Sequence, residues 1–228
     1  MSAEIQGWKA RLSPSLGLLI NPPRRTPLGQ LVKSVISSRT RDAVSLDAYR
    51  RLRRRWPKAG ALARASSVEV ENILSDVTFP EKKAVYLPAA LRLIEKEHPD
   101  FRLDFLASLS VWEALAWLER LPGVGRKVAA ATLNASTLQR RVFIVDSHVH
   151  RVLQRLGFIG MRTPPRAASE LVTASANGFS AHDLLELFAQ MKQLGQTVCR
   201  FETPDCASCP LADRCRTARG SMAQTGMP

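Results

Sequence analysis

Apolar residues recur along the chain at helical rather than strand spacing. Leu28, Leu31, Val32, Val35 and Ile36 fall on one helical face. Thr26-Pro27 ahead of them reads as an N-cap followed by a first-turn proline, whose missing N–H costs nothing there. Ser66 with Glu69, and Ser110 with Glu113, have the three-residue offset of a capping box. The first precedes Val70, Ile73 and Leu74; the second precedes Leu115 and Leu118. Val149, Val152, Leu153 and Leu156 make a further stripe, closed by Gly157, with Asp146 placed to cap its start. No segment alternates convincingly with period two. The pattern predicts an all-α fold.

Punctuation between the stripes suggests an organisation. The Pro22-Pro23 pair separates a short N-terminal helix from the main helical block, and the stretch from about Arg219 reads as a polar tail. Leu18 to Ile20 is too short an apolar run for a signal core or a membrane span, so the expected location is cytoplasmic. With 45% hydrophobic residues the chain is ordinary for a globular protein, which excludes wholesale disorder. Charge changes the picture more. Thirty-three Lys and Arg against twenty Asp and Glu give +13, which favours a polyanionic partner, nucleic acid above all, over a merely basic soluble enzyme. The densest basic run, Arg50 to Arg55 broken only by Leu52, is either a solvated helix face or a phosphate contact.

Two clusters carry candidate chemistry. All four cysteines, Cys199, Cys206, Cys209 and Cys215, lie in one short segment spaced Cys-x6-Cys-x2-Cys-x5-Cys. Such a set binds metal rather than forming disulfides in a reducing cytosol. It can wrap one [4Fe–4S] cube, each iron taking one thiolate. A four-cysteine zinc site is the competitor, although structural zinc usually pairs two close knuckles and only one is present. The tight Cys-x2-Cys-x2-Cys run of electron carriers is absent, so a cluster here would be structural. The second cluster is Leu121-Pro122-Gly123-Val124-Gly125-Arg126-Lys127, between two helical patterns. Glycines two apart let the chain reverse sharply and bring backbone N–H groups close to a ligand. The start of the next helix can then hold a phosphate.

Leu121 to Lys127, continued by Val128 to Asn134, resembles the helix-hairpin-helix of the endonuclease III family. Phe143 to Val152 resembles that family's segment bearing the catalytic aspartate, and the cysteine spacing matches its cluster loop. The resemblance implies a six-helix barrel lobe over residues 24–138, an iron–sulfur lobe from 1–23 and 139–218, and a disordered tail at 219–228. It implies a monomer acting on double-stranded DNA that carries damaged bases or abasic sites. Lys127 matches the family's Schiff-base lysine and Asp146 its catalytic aspartate; Gly123, Val124, Gly125 and Arg126 fall at the DNA-contacting hairpin. A lysine amine can attack C1′ of the nucleotide, expel the base and hold the sugar as an imine while the 3′ phosphate is eliminated. The implied activity is a bifunctional glycosylase and abasic-site lyase for oxidised pyrimidines. A monofunctional glycosylase, or a non-catalytic DNA-binding or redox protein, is the alternative. A metal on Asp146, His148 and His150 is disfavoured, since the two histidines would point in different directions on a helix.

Three positions depart from the pattern. Arg39 stands where the family has the glutamine that fills the gap left by a flipped base, and Phe79 aligns with its leucine wedge. The loop Arg200-Phe201-Glu202-Thr203-Pro204-Asp205 has two acids and one base, which weakens a phosphate-gripping role for it.

Overall fold

Helices form where the caps and stripes call for them. The computed structural model describes residues 1–16 and 24–219, omitting the side chains of Ser15 and Leu16. It runs through α1 (Ser2–Leu16), α2 (Pro27–Ile36), α3 (Asp42–Arg55), α4 (Ala59–Ala63), α5 (Ser67–Ile73), α6 (Pro80–Glu97), α7 (Val111–Glu119), α8 (Arg126–Asn134), α9 (Ser147–Leu156), α10 (Pro165–Ser175) and α11 (Ala181–Thr197). Among the described residues there is no β-strand, only an isolated bridge between Arg25 and Ser136, and no helix is long and apolar enough to cross a membrane. The all-α expectation is met. Leu18 to Ile20, the Pro22-Pro23 pair and positions 220–228 of the expected tail lie outside the described residues.

The local rules act as written in the sequence. Thr26 accepts from the Gly29 N–H with Pro27 opening α2. Reciprocal capping boxes join Ser66 to Glu69 and Ser110 to Glu113, and a third, Ser180 with Asp183, opens α11. Gly157 ends α9 in the left-handed conformation, φ +85°.

The chain divides into two units. One comprises residues 23–140. Its central helix is α8, where every residue from Val128 to Asn134 is buried, as expected of a helix surrounded by others; α2 and α7 pack against it. Ala84, Leu87, Leu91 and Ile94 turn α6 toward the same core, and α4 and α5 pack on that helix. Leu28 departs from the α2 stripe, being only half-buried. The other unit comprises residues 1–22 and 141–228. Ile5, Trp8 and Leu12 of α1 share its core with Val149, Val152 and Leu153 of α9 and Leu187, Met191 and Leu194 of α11. The α9 and α11 backbones approach closely at Gly195, where an added Cβ would stand 2.9 Å from the Cβ of His148.

Candidate active site and DNA interface

In the 23–140 unit the turn between α7 and α8 is built on two buried anchors, Leu121 and Val124, the Val124 N–H donating to the Leu121 carbonyl at 3.1 Å. Its two glycines do different things. Gly123 has φ +75°, and a Cβ there would stand 2.8 Å from the Tyr86 side chain, so both backbone and space demand glycine. Gly125 is extended, φ −100°, and a Cβ on it would meet nothing within 4 Å. Its bareness serves no packing inside the protein; it leaves the helix N-terminus open to an outside partner. Arg126, read from the sequence as part of the DNA-contacting hairpin, has a buried guanidinium that bonds Glu119 at 2.5 Å, so its side chain neutralises an internal acid. Lys127, one residue on, is half-buried and donates from Nζ to the Ser37 hydroxyl at 3.3 Å.

Ser37 ends α2, and the segment after it meets the start of α6. Arg39 and Phe79, far apart in sequence, come together with the guanidinium carbon 5.7 Å from the ring centroid. The Lys82 ammonium lies 5.2 Å from the same ring, and the ring is 42% exposed. Arg39 has φ +57° and Phe79 φ +56°. A left-handed backbone costs a non-glycine residue roughly 1–2 kcal/mol and persists only where the surroundings impose it. Beside them lies a buried lysine outside the motifs above. Lys83 donates to the Ile36 carbonyl at 2.7 Å, the Ser38 carbonyl at 2.9 Å and the Thr40 hydroxyl at 2.9 Å. Burial pushes its pKa down to about 8, the Lys127 charge adding to the effect and Glu81 opposing it. A signal was present: Lys83 stands in register with Leu87, Leu91 and Ile94, a charge on an apolar stripe. The Arg50–Arg55 run is partly spent on acids. Arg51 pairs with Asp47 and Asp76, and Arg55 with Glu69 at 3.5 Å.

In the other unit Asp146 caps α9, one carboxylate oxygen accepting from the N–H groups of His148 and Val149 at 2.9 Å each. His150 bonds the Thr163 carbonyl at 2.8 Å and His148 faces Arg151, so each ring nitrogen named has a structural partner. Cys199, Cys206, Cys209 and Cys215 line one pocket, together with Arg155 and Val198. Burial pushes the Cys206 and Cys209 thiols up; for Cys206 the neighbouring thiols add to this. The basic end of α9 fixes this loop. Arg151 donates to the carbonyls of Gly195 and Cys199, while Arg155 reaches those of Arg200 and Phe201 and lies 3.4 Å from Cys199 Sγ. Asp205 is consumed locally by the Ser208 N–H and hydroxyl. Among the described residues, no three His, Cys, Asp or Glu side chains form a group that could hold a metal ion, although the four cysteines line one pocket.

The sequence profile of HhH-GPD superfamily base excision DNA repair proteins matches residues 32–175. The chain belongs to that superfamily. It is 26% identical over 200 residues to endonuclease III of Thermotoga maritima, covering 87% of each chain. To endonuclease III of Synechocystis it is 29% identical over 201 residues, 86% of this chain and 84% of the relative. An endonuclease III–DNA covalent intermediate, trapped as an estranged-adenine complex, has the same fold at TM-score 0.80, with 21% identity over 97% of this chain and 99% of that one. The resemblance read from the hairpin, the aspartate segment and the cysteine spacing therefore stands, and this HhH-GPD protein is a DNA glycosylase of base excision repair with DNA as its partner.

Proposed function

We propose that the chain is a bifunctional enzyme that removes oxidised pyrimidines from duplex DNA and nicks the resulting abasic site by β-elimination, acting as a monomer in the cytoplasm on nucleoid DNA. Lys127 is the nucleophile. Its neutral amine forms a bond to C1′ of the extruded nucleotide as the bond from C1′ to the base breaks, and the base leaves with the electron pair and a proton. The aminal so formed then opens: its C1′–O4′ bond breaks, O4′ takes up a proton, and the nitrogen lone pair closes the imine. The imine acidifies the C2′ proton; loss of that proton expels the 3′ phosphate, and water releases the sugar from the lysine. Asp146 accepts the proton that the lysine nitrogen sheds once it is bonded to C1′, returns it to O4′, and stabilises positive charge developing on the sugar. The amides at Gly123 to Gly125 receive phosphates, with Val124 anchoring the turn and Arg126 bracing it through Glu119; Arg39 and Phe79 fill the space that the extruded nucleotide vacates.

One observation carries the lyase reading: Lys127 is the second residue of α8, two residues after a glycine that leaves the helix start bare, with its amine on a neutral hydroxyl. A helix N-terminus disfavours the ammonium there and so favours the nucleophilic form. The four cysteines would hold a [4Fe–4S] cluster. A tetrahedral zinc would draw four sulfurs to within about 4 Å of one another, given Zn–S bonds of about 2.3 Å. A polynuclear cluster takes one thiolate per iron around its periphery, which suits four cysteines lining one pocket. Once bound, it would pin the Cys199–Cys215 loop and supply no step of the reaction.

Borohydride trapping on DNA bearing an abasic site tests the proposal. Wild-type protein should yield a covalent adduct and Lys127→Gln none; no wild-type adduct, or a full one from the variant, overturns it. Rates on a panel of single-lesion duplexes test the preference for oxidised pyrimidines, and iron with acid-labile sulfide in the purified protein tests the cofactor.

A further inference from the structure

Lys83 takes no part in the chemistry above, yet its side chain is 5% exposed and its ammonium gathers three oxygens from one turn, those of Ile36, Ser38 and Thr40. The network continues. Thr40 Oγ1 also accepts from the Thr78 N–H at 3.1 Å, and the Thr78 hydroxyl donates to the Arg39 carbonyl at 2.9 Å. One ammonium and two hydroxyls thus bind the exit of α2 to the entry of α6. The residues displayed by these ties are Arg39 and Phe79, the pair held in left-handed conformations. Phe79 has no side-chain cap bond of its own to hold α6's first turn.

We infer that Lys83 is a positioning residue whose ammonium locks the two turns together, so that Arg39 and Phe79 enter the duplex as one preformed wedge. A wedge ordered before binding adds no ordering cost to the extrusion of a base. This explains why a cation is buried on neutral oxygens: it fixes direction, since two carbonyls and a hydroxyl can be satisfied together by three N–H donors at one point. The inference rests on reading Arg39 and Phe79 as the wedge.

The test uses the full-length protein with Lys83→Met and, as a variant that leaves the lysine in place, Thr40→Val. Two measurements separate positioning from plain structural support. The first is the rate of borohydride adduct formation on a single-stranded abasic oligonucleotide, which has no stack to open. The second is the same rate, with the fluorescence rise of a 2-aminopurine placed opposite the abasic site, on a duplex. Lys83→Met should keep the single-strand rate within about two-fold while losing about ten-fold or more on the duplex, together with the fluorescence rise, as removal of charge-assisted hydrogen bonds would give. Thr40→Val should show the same split at smaller size. Equal losses on both substrates, or no loss on either, overturn the inference. A wild-type protein that raises the fluorescence but forms no adduct on either substrate sinks the lyase reading alone, because unstacking needs no chemistry; the fluorescence of the variants then decides this one.

Discussion

Lys9, part-exposed in the unit of 1–22 and 141–228, and Lys83, buried in the 23–140 unit, are both held by oxygens, but in opposite company. Lys9 bonds Asp183 and Glu186, the latter at 3.1 Å. Burial works against its charge, yet the two carboxylates outweigh it and its pKa is raised. Lys83 bonds only neutral oxygens, and burial with the nearby Lys127 charge brings it down to about 8. The first arrangement stabilises a fold; the second costs stability and fixes a geometry. A buried charge without a carboxylate is worth looking for beside a functional surface, since packing alone would replace it with a methionine.

The sharpest way to break this contrast acts on the unit that holds Lys9. Cys209→Ser removes one proposed cluster ligand, and structural metal sites contribute on the order of 10 kcal/mol of apparent folding free energy. Iron should be lost and the Cys199–Cys215 loop should become protease-sensitive while the 23–140 unit stays resistant. Retained iron and an intact loop would show that the thiols are not ligands.

A smaller effect comes from the hairpin. Gly123→Ala forces a left-handed alanine against Tyr86 and should cost about 2–4 kcal/mol in thermal or denaturant unfolding. Gly125→Ala, in open space, should cost about 1 kcal/mol at most, the N-cap preference of glycine over alanine. It should nonetheless weaken DNA binding if phosphate approaches that amide. Equal stability losses at the two glycines would refute the division of labour between them.

The two sites respond to pH in different windows. With Lys83 depressed to about 8 against an ordinary 10.5, the folded state binds fewer protons in that window. Its stabilising contribution is thus full above 10.5 and lost as pH falls through about 8. Comparison of wild type with Lys83→Met should expose a gain of about 3 kcal/mol as pH climbs through the window. At Asp183 burial raises the pKa, but the bonds from Lys9 and Ser180 prevail and bring it to about 2. That contribution is present above about 4 and lost as pH falls through about 2, and for so exposed a pair it is about 1 kcal/mol or less. Asp183→Asn should erase this acid slope and leave the rise that belongs to Lys83 in place.

What could be read from the sequence was whatever is settled within a few residues. Thr26-Pro27, the boxes at Ser66 and Ser110, Asp146 ahead of α9 and Gly157 behind it are contacts between near neighbours, so their spacing is their meaning. Ser180 with Asp183 follows the same rule and lies outside the motifs singled out. Hidden from the sequence was a relation across a long separation, Lys83 reaching residues 36–40. A left-handed Phe79 leaves no mark in a propensity pattern, and the residue before it is tied to Arg39, some forty residues away.

The cap on α9 shapes how loss of activity at Asp146 should be interpreted. Its carboxylate already anchors the first turn through two amides, so an alanine scan would mix a damaged scaffold, worth about 1 kcal/mol, with any missing proton acceptor. Asparagine caps as well as aspartate does but carries no charge. A single amide-for-acid exchange therefore separates the architectural duty of this side chain from its chemical one, a separation that few dual-purpose residues permit.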